Sequence, residues 1–287
     1  MITRRYFASG AFSVVAGIGA GVAAPPALAR TGFRWPGGAR AAVSLTYDDG
    51  LDSQIEHAAP ALDAAGLKGT FFLTRENMEA RTDDWQAVAK AGHEMGNHSV
   101  THPCDLRRCK SAAFRQDEIE PMEAFLDEHF GADRFRSYAY PCGWIGMGEG
   151  SLRERIARYQ VALRGQVTAA RTVSGLSNDP QRVAADPFML HAFEPTYDVD
   201  DPRLAFRYMR RTMAAGGWAI LVFHEVLPAR AGEGDTSIAA HDAILRWLAK
   251  APVWCAPLGE VFQYCAVETD GAVIARRQPR IGGGARA

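Results

Sequence analysis

Ala42-Val43-Ser44-Leu45-Thr46-Tyr47 runs directly into Asp48-Asp49-Gly50. The run is short, largely apolar, and stops on two carboxylates and a glycine, as a buried strand does when it enters a turn. Two later stretches have the same form. His93-Glu94-Met95-Gly96-Asn97 leads into His98-Ser99-Val100-Thr101-His102, and Ala219-Ile220-Leu221-Val222-Phe223 leads into His224-Glu225. Strands that are apolar without alternation are covered on both faces, the habit of parallel sheets.

Outward from these three stretches, strand-like and helix-like segments alternate. Strands are predicted at 41–47, 69–74, 94–97, 137–140, 169–173, 189–193, 218–223 and 253–256. Helices are predicted at 54–65, 84–91, 113–129, 151–159, 202–215, 238–250 and 258–265. That alternation predicts a single α/β domain, a TIM-like (β/α) barrel, with an open doubly wound sheet as the other arrangement. In a barrel of this kind the C-terminal strand ends share one mouth, where chemistry takes place. The three polar clusters, distant in sequence, would therefore meet there.

The residue types suit a metal site with an acid and a base. Two histidines and one carboxylate form a facial set that leaves positions open for water and substrate. His98 and His102 are four apart, so one turn of helix-like backbone aims both at one point. Adjacent aspartates diverge, so Asp49 can bind a metal while Asp48 stays free as a base. Taken singly, each feature also has a structural explanation: Asp-Asp-Gly is a common turn, and a strand-end histidine often only satisfies its neighbours. Their joint placement at three strand ends favours chemistry.

The ordered motifs Thr46-Tyr47-Asp48-Asp49-Gly50, His98-Ser99-Val100-Thr101-His102-Pro103, Tyr138-Ala139-Tyr140-Pro141-Cys142-Gly143 and Leu221-Val222-Phe223-His224 resemble those of the polysaccharide deacetylases, the NodB-homology or carbohydrate esterase family 4 group. The resemblance implies a distorted (β/α) barrel, one divalent ion (zinc first, with cobalt, nickel or manganese possible) and an acetylated glycan as substrate. It implies Asp48 as base, Asp49, His98 and His102 as metal ligands, and His224 as general acid. It also puts the backbone N–H of Cys142 near the oxyanion, with Tyr140 in the same turn. Two positions depart from the pattern. The third motif usually carries an arginine where this chain has Ala139, and an Asp-rich fourth motif ending in Trp is absent. Arg171 is the candidate to hold Asp48 instead, because a planar guanidinium can grip a carboxylate, with a surface arginine in a solvated ion pair as the alternative. Trp144 is a candidate sugar-stacking residue, with a core or rim position as the alternative.

Rival functions are an amidohydrolase of the same fold acting on a small non-sugar amide, and an inactive glycan-binding protein. No Gly-x-Ser-x-Gly is present, which argues against a serine esterase. His93-Glu94 and His224-Glu225 lack the second histidine of a zincin motif.

The remaining features bound the context. The 287 residues are 47% apolar and 23% charged with a net charge of −1, an ordinary globular balance without the basic field that recruits nucleic acid. Thr3-Arg4-Arg5-Tyr6-Phe7, a Gly/Ala-rich stretch and Ala27-Leu28-Ala29 read as an export signal over 1–29 of twin-arginine type, the alternatives being an ordinary secretory signal or an uncleaved anchor. A periplasmic or secreted catalytic domain is then expected over 30–275. No stable membrane span is expected after signal cleavage, and no obligate protein partner is indicated. Residues 276–287, with their four arginines and three glycines, read as a loose tail. Of the five cysteines, Cys104 could pair with Cys109 and Cys255 with Cys265, leaving Cys142 single, or all could remain thiols.

Overall fold

The computed structural model describes residues 33–133 and 135–270; the export segment and the basic tail lie outside them. In chain order the strands are β1 (Ala42–Tyr47), β2 (Thr70–Leu73), β3 (Glu94–Asn97), β4 (Ser137–Ala139), β5 (Ala169–Arg171), β6 (Trp218–Phe223), β7 (Val226–Leu227), β8 (Thr236–Ser237) and β9 (Trp254–Cys255). The α-helices are α1 (Ala59–Ala64), α2 (Arg75–Ala80), α3 (Thr82–Lys90), α4 (Ser111–Phe114), α5 (Glu120–Phe130), α6 (Leu152–Leu163), α7 (Pro202–Ala215), α8 (Ile238–Leu248) and α9 (Leu258–Asp270).

The main sheet is parallel, in the order β5-β4-β3-β2-β1-β6. Beyond β5 the segment predicted as the strand 189–193 makes only isolated bridges. Leu190 pairs with Arg171 on one side and Phe193 with Leu221 on the other, through backbone bonds of 2.9–3.0 Å. This irregular segment joins β5 to β6 and curls the sheet into a distorted barrel, which excludes the open doubly wound arrangement.

A second distortion lies at β1. Strand β6 occupies one edge of β1 along its whole length, from Ala42↔Trp218 to Tyr47↔Phe223. The other edge is shared: β2 pairs at Thr46 and Tyr47, and β9 at Ala42 and Val43. Where the ladder is split, side-chain hydroxyls replace its bonds. Ser44 Oγ donates to the Ala256 carbonyl at 2.9 Å, and Thr70 Oγ1 accepts from Leu258 N at 2.8 Å.

Every residue of β1 and β6 is buried, as their apolar runs predict. Val43, Leu45 and Tyr47 pack outward against helices, in one cluster with Leu62, Met209 and Leu245. Ala42, Ile220 and Val222 lie in a second cluster with Phe72 and the α9 residues Leu258, Val261 and Phe262. Each large apolar side chain so buried contributes roughly 1.5–3 kcal/mol.

The predicted helices 54–65 and 113–129 each contain a wide π turn, Gln54–Ala58 and Arg115–Ile119. Pro60 and Pro121 explain both. A proline ring clashes with the carbonyl four residues back and lacks its own N–H, and a widened turn relieves both problems. Helix α2 and the β7–β8 pair were not foreseen from the sequence. Among the described residues no helix is long and apolar enough to cross a membrane.

Candidate active site

Asp48 and Asp49 occupy the turn that ends β1, and opposite backbone conformations separate them. Asp49 has φ 75°, a left-handed value uncommon for a residue with a side chain. Thr74 Oγ1 and Asn77 Nδ2 hold that turn by donating to the Asp49 carbonyl, at 3.1 and 2.7 Å. Gly50 follows at φ 69°, and a Cβ there would stand 3.1 Å from Leu73 Cδ2, so the turn requires glycine. The outcome is two carboxylates aimed at different partners.

Asp49 faces the histidines. Its Oδ1 is 3.4 Å from His98 Nε2 and 3.3 Å from His102 Nε2. Burial works against its charge, but the imidazoles of His98, His224 and His102 hold its carboxyl well below the usual range. One potential ligand atom from each of Asp49, His98 and His102 lies within 4.8 Å of the others. His98 Nδ1 is 2.9 Å from the Ala139 carbonyl, to which it can only donate, so Nε2 is the atom available to a metal ion. This donor set fits a divalent ion such as zinc.

The loop carrying the two histidines is held from below. Ser99 and His102 are left-handed, at φ 67° and 54°. Glu118 accepts from the N–H groups of Val100 and Thr101 at 3.0 and 2.8 Å and from Thr101 Oγ1 at 2.6 Å. Asn97 accepts from Ser99 N at 2.7 Å and donates to the buried Glu123 at 2.9 Å.

Asp48 is 1% exposed. Its Oδ1 accepts from Arg171 Nη2, and its Oδ2 is 3.9 Å from His98 Nε2 and 4.0 Å from His224 Nε2. Arg171 is fully buried, donates through Nε to Thr46 Oγ1 at 3.2 Å, and lies over the Phe72 ring at 4.9 Å. Ala139, where the motif arginine was expected, is the register partner of Arg171 across β4–β5.

His224 pairs through Nδ1 with Glu194 Oε1 at 2.8 Å. Burial opposes its charge, but Glu194, Asp48 and Asp49 together raise its pKa to about 9. Gln54 Nε2 donates to the backbone carbonyls of both Asp48 and His224, tying the β1 and β6 ends together. Glu194 was not found from the sequence. The signal was available: it stands directly after the predicted strand 189–193, at a fourth strand end.

The other candidates divide. Tyr140 does not reach the site with its side chain; it is fully buried, and its hydroxyl donates to the Phe188 carbonyl at 3.0 Å. Trp144 is 38% exposed, with the Arg155 guanidinium 5.6 Å from its ring. Cys142, at φ 54°, forms a disulfide with Cys104. This corrects the expected pairs, since Cys109 and Cys255 remain thiols. The reason is topological. Cys104 follows β3 and Cys142 follows β4, and these strands are neighbours, so their exit loops meet with the two Cα atoms 5.5 Å apart. Both sulfurs are 3.9 Å from His102 Nδ1.

Fold and site together describe a (β/α) barrel with a two-histidine, one-aspartate cluster at its mouth. Residues 36–147 match the family model for polysaccharide deacetylase. It is 36% identical over 87 residues to the peptidoglycan-N-acetylglucosamine deacetylase of Bacillus cereus, covering 29% of this chain and 30% of that one. The chain thus spans less than a third of that relative's length. Among solved structures it resembles the Puue allantoinase (TM-score 0.61, 14% identity, 83% of this chain and 94% of that one). It also resembles the Xyl-CE4 domain of a multidomain xylanase from the hindgut metagenome of Trinervitermes trinervoides (TM-score 0.52, 17% identity, 78% and 90%). At these identities the likeness is one of fold.

Proposed function

We propose that the chain is a metal-dependent hydrolase that removes acetyl groups from an N- or O-acetylated polysaccharide. The observation that carries this reading is the placement of Asp48. It is buried beside the Asp49–His98–His102 cluster, with His224 4.0 Å away. An acid and a base thus flank one candidate metal site. The match of residues 36–147 to the polysaccharide deacetylase family model supports the same reading.

Asp49, His98 and His102 would hold the ion, zinc first, with cobalt, nickel or manganese as alternatives. When bound, such an ion supplies Lewis acidity, polarising the acetyl carbonyl and acidifying a water. Asp48, oriented by Arg171, takes the proton of the attacking water. The Cys142 N–H serves the developing oxyanion. His224, kept protonated at neutral pH by Glu194, gives its proton to the departing nitrogen or oxygen. Export by the twin-arginine route, with removal of the signal over 1–29, would leave the catalytic domain at 30–275 in the periplasm or outside the cell.

The test is acetate release from peptidoglycan, chitin oligomers and acetylxylan with added zinc. Turnover on at least one of them is expected. Hydrolysis of a small cyclic amide with none of these glycans would overturn the polysaccharide reading and favour the small-amide hydrolase. No turnover on either would favour a binding protein.

A further inference from the structure

Two loops form one lobe beside His102. The loop after His102, residues 103–110, and the loop after β4, residues 140–150, are joined by the Cys104–Cys142 disulfide. The Gly148 N–H adds a bond of 2.8 Å to the Leu106 carbonyl, and Ser111 Oγ donates to the Arg158 carbonyl at 2.7 Å. With the first turns of α6, this lobe carries Arg107, Arg108, Lys110, Arg153, Arg155 and Arg158. Its acids are Asp105, Glu149 and Glu154. The lobe is therefore positive on a chain whose net charge is −1.

Several of its charged groups are engaged. Arg107 pairs with Asp105 at 2.7 Å, Arg158 donates to the Glu149 carbonyl, and Glu154 completes the capping box of α6 with Ser151. Arg155 differs. Its guanidinium lies over the half-exposed ring of Trp144 at 5.6 Å. The Gly146 backbone lies alongside it, since a Cβ there would come within 3.2 Å of Arg155 Nε. That Nε is buried without a hydrogen-bond partner, and among the described residues no carboxylate pairs with the side chain.

A flat cation fixed against an exposed indole, with no acid of its own, is a receptor for a ring that carries a negative charge. The indole supplies a face for a pyranose, and the guanidinium fork matches a carboxylate in two parallel hydrogen bonds. Trp144 is two residues beyond Cys142, whose sulfur is 3.9 Å from His102. The platform thus lies on the loop that reaches the candidate metal cluster. We propose that Trp144 and Arg155 form a subsite for an acidic sugar, so that the preferred substrate is a glycan carrying a carboxylate next to the acetylated unit. This rests on the glycan reading of the site, and binding is measured separately from turnover so that the two can fail independently.

The experiment uses the zinc-loaded chain in an Asp48→Asn background, which suppresses hydrolysis. Calorimetry compares an acetylated oligouronate with a chitin oligomer of matched length. The oligouronate should bind more tightly, and its affinity should fall with added salt while that of the chitin oligomer does not. Arg155→Gln should weaken the oligouronate roughly tenfold and leave the chitin oligomer unchanged, whereas Trp144→Ala should weaken both. Arg155→Lys should recover part of the loss, because it restores charge without the fork. Equal affinities for the two oligomers in the parent, or an equal loss for both in Arg155→Gln, would overturn the subsite and leave Arg155 a structural brace of the lobe.

Discussion

Ala139 and Arg171 are register partners on the neighbouring parallel strands β4 and β5, and Arg171 is the one that grips Asp48. Where an arginine was expected at 139 the chain has alanine, and the guanidinium that reaches Asp48 comes from the adjacent strand at the same register. A lysine at 171 keeps the charge but loses the fork that orients the carboxylate. Arg171→Lys should lower kcat by about 10²-fold, the cost of a misplaced catalytic group, with zinc content and Tm near wild type. Normal turnover in that variant would remove Arg171 from the mechanism.

The two aspartates should separate experimentally. Asp49→Ala, His98→Ala and His102→Ala should each lose stoichiometric zinc by elemental analysis. Asp48→Asn should keep it and lose about 10²–10⁴ in rate, the usual contribution of a general base. Full zinc occupancy in His98→Ala would rule out the cluster as the metal site.

Glu194 should set the alkaline limit of activity. His224 must be protonated to act as an acid, and its pKa is about 9. Activity should therefore fall as pH rises through that range. Glu194→Gln removes a negative charge and should move the limb downward, toward the ordinary histidine value of about 6.5. The readout is kcat/KM against pH at saturating zinc, and an unmoved limb would assign the proton to another group.

His241 should make the fold acid-sensitive. It is fully buried in the outer core, with Nε2 2.8 Å from the Tyr47 hydroxyl, and burial lowers its pKa to about 4. The unfolded chain takes up this proton near pH 6.5, before the folded chain does, so stability should fall between about 6.5 and about 4. The loss is on the order of 3 kcal/mol. In urea titrations across that window, His241→Gln should lose less stability than wild type. Parallel curves would show that other groups carry the acid sensitivity.

Export should depend on the paired arginines. Arg4→Lys combined with Arg5→Lys should leave precursor in the cytoplasm by fractionation. An unchanged periplasmic yield would point to the general secretory route.

The sequence was most informative where a strand ends in polar residues. β1, β3 and β6 are continuous buried runs, so their ends could be placed at one mouth, and Asp48, Asp49, His98, His102 and His224 do meet there. Glu194 follows the same rule but stands after a segment whose ladder is broken into isolated bridges, and its role was missed. The cysteine partners were misread because pairing was judged by nearness in the chain. Cys104 and Cys142 are 38 residues apart and adjacent only through the β3–β4 neighbourhood. Tyr140 lies in the third of the motifs that carry the family resemblance, yet on a short turn consecutive side chains diverge, and its ring faces the core.

The Cys104–Cys142 bridge spans the two loops that carry His102 and the proposed oxyanion donor. Two preparations of this protein with identical sequences can therefore be different molecules. Material recovered from a reducing cytosol would carry two thiols at the rim of the mouth, and material that had matured in an oxidising compartment would carry a covalent clasp there. Specific activity would then record the history of a sample as well as its purity, and assays that add reductant by habit would measure the unclasped form.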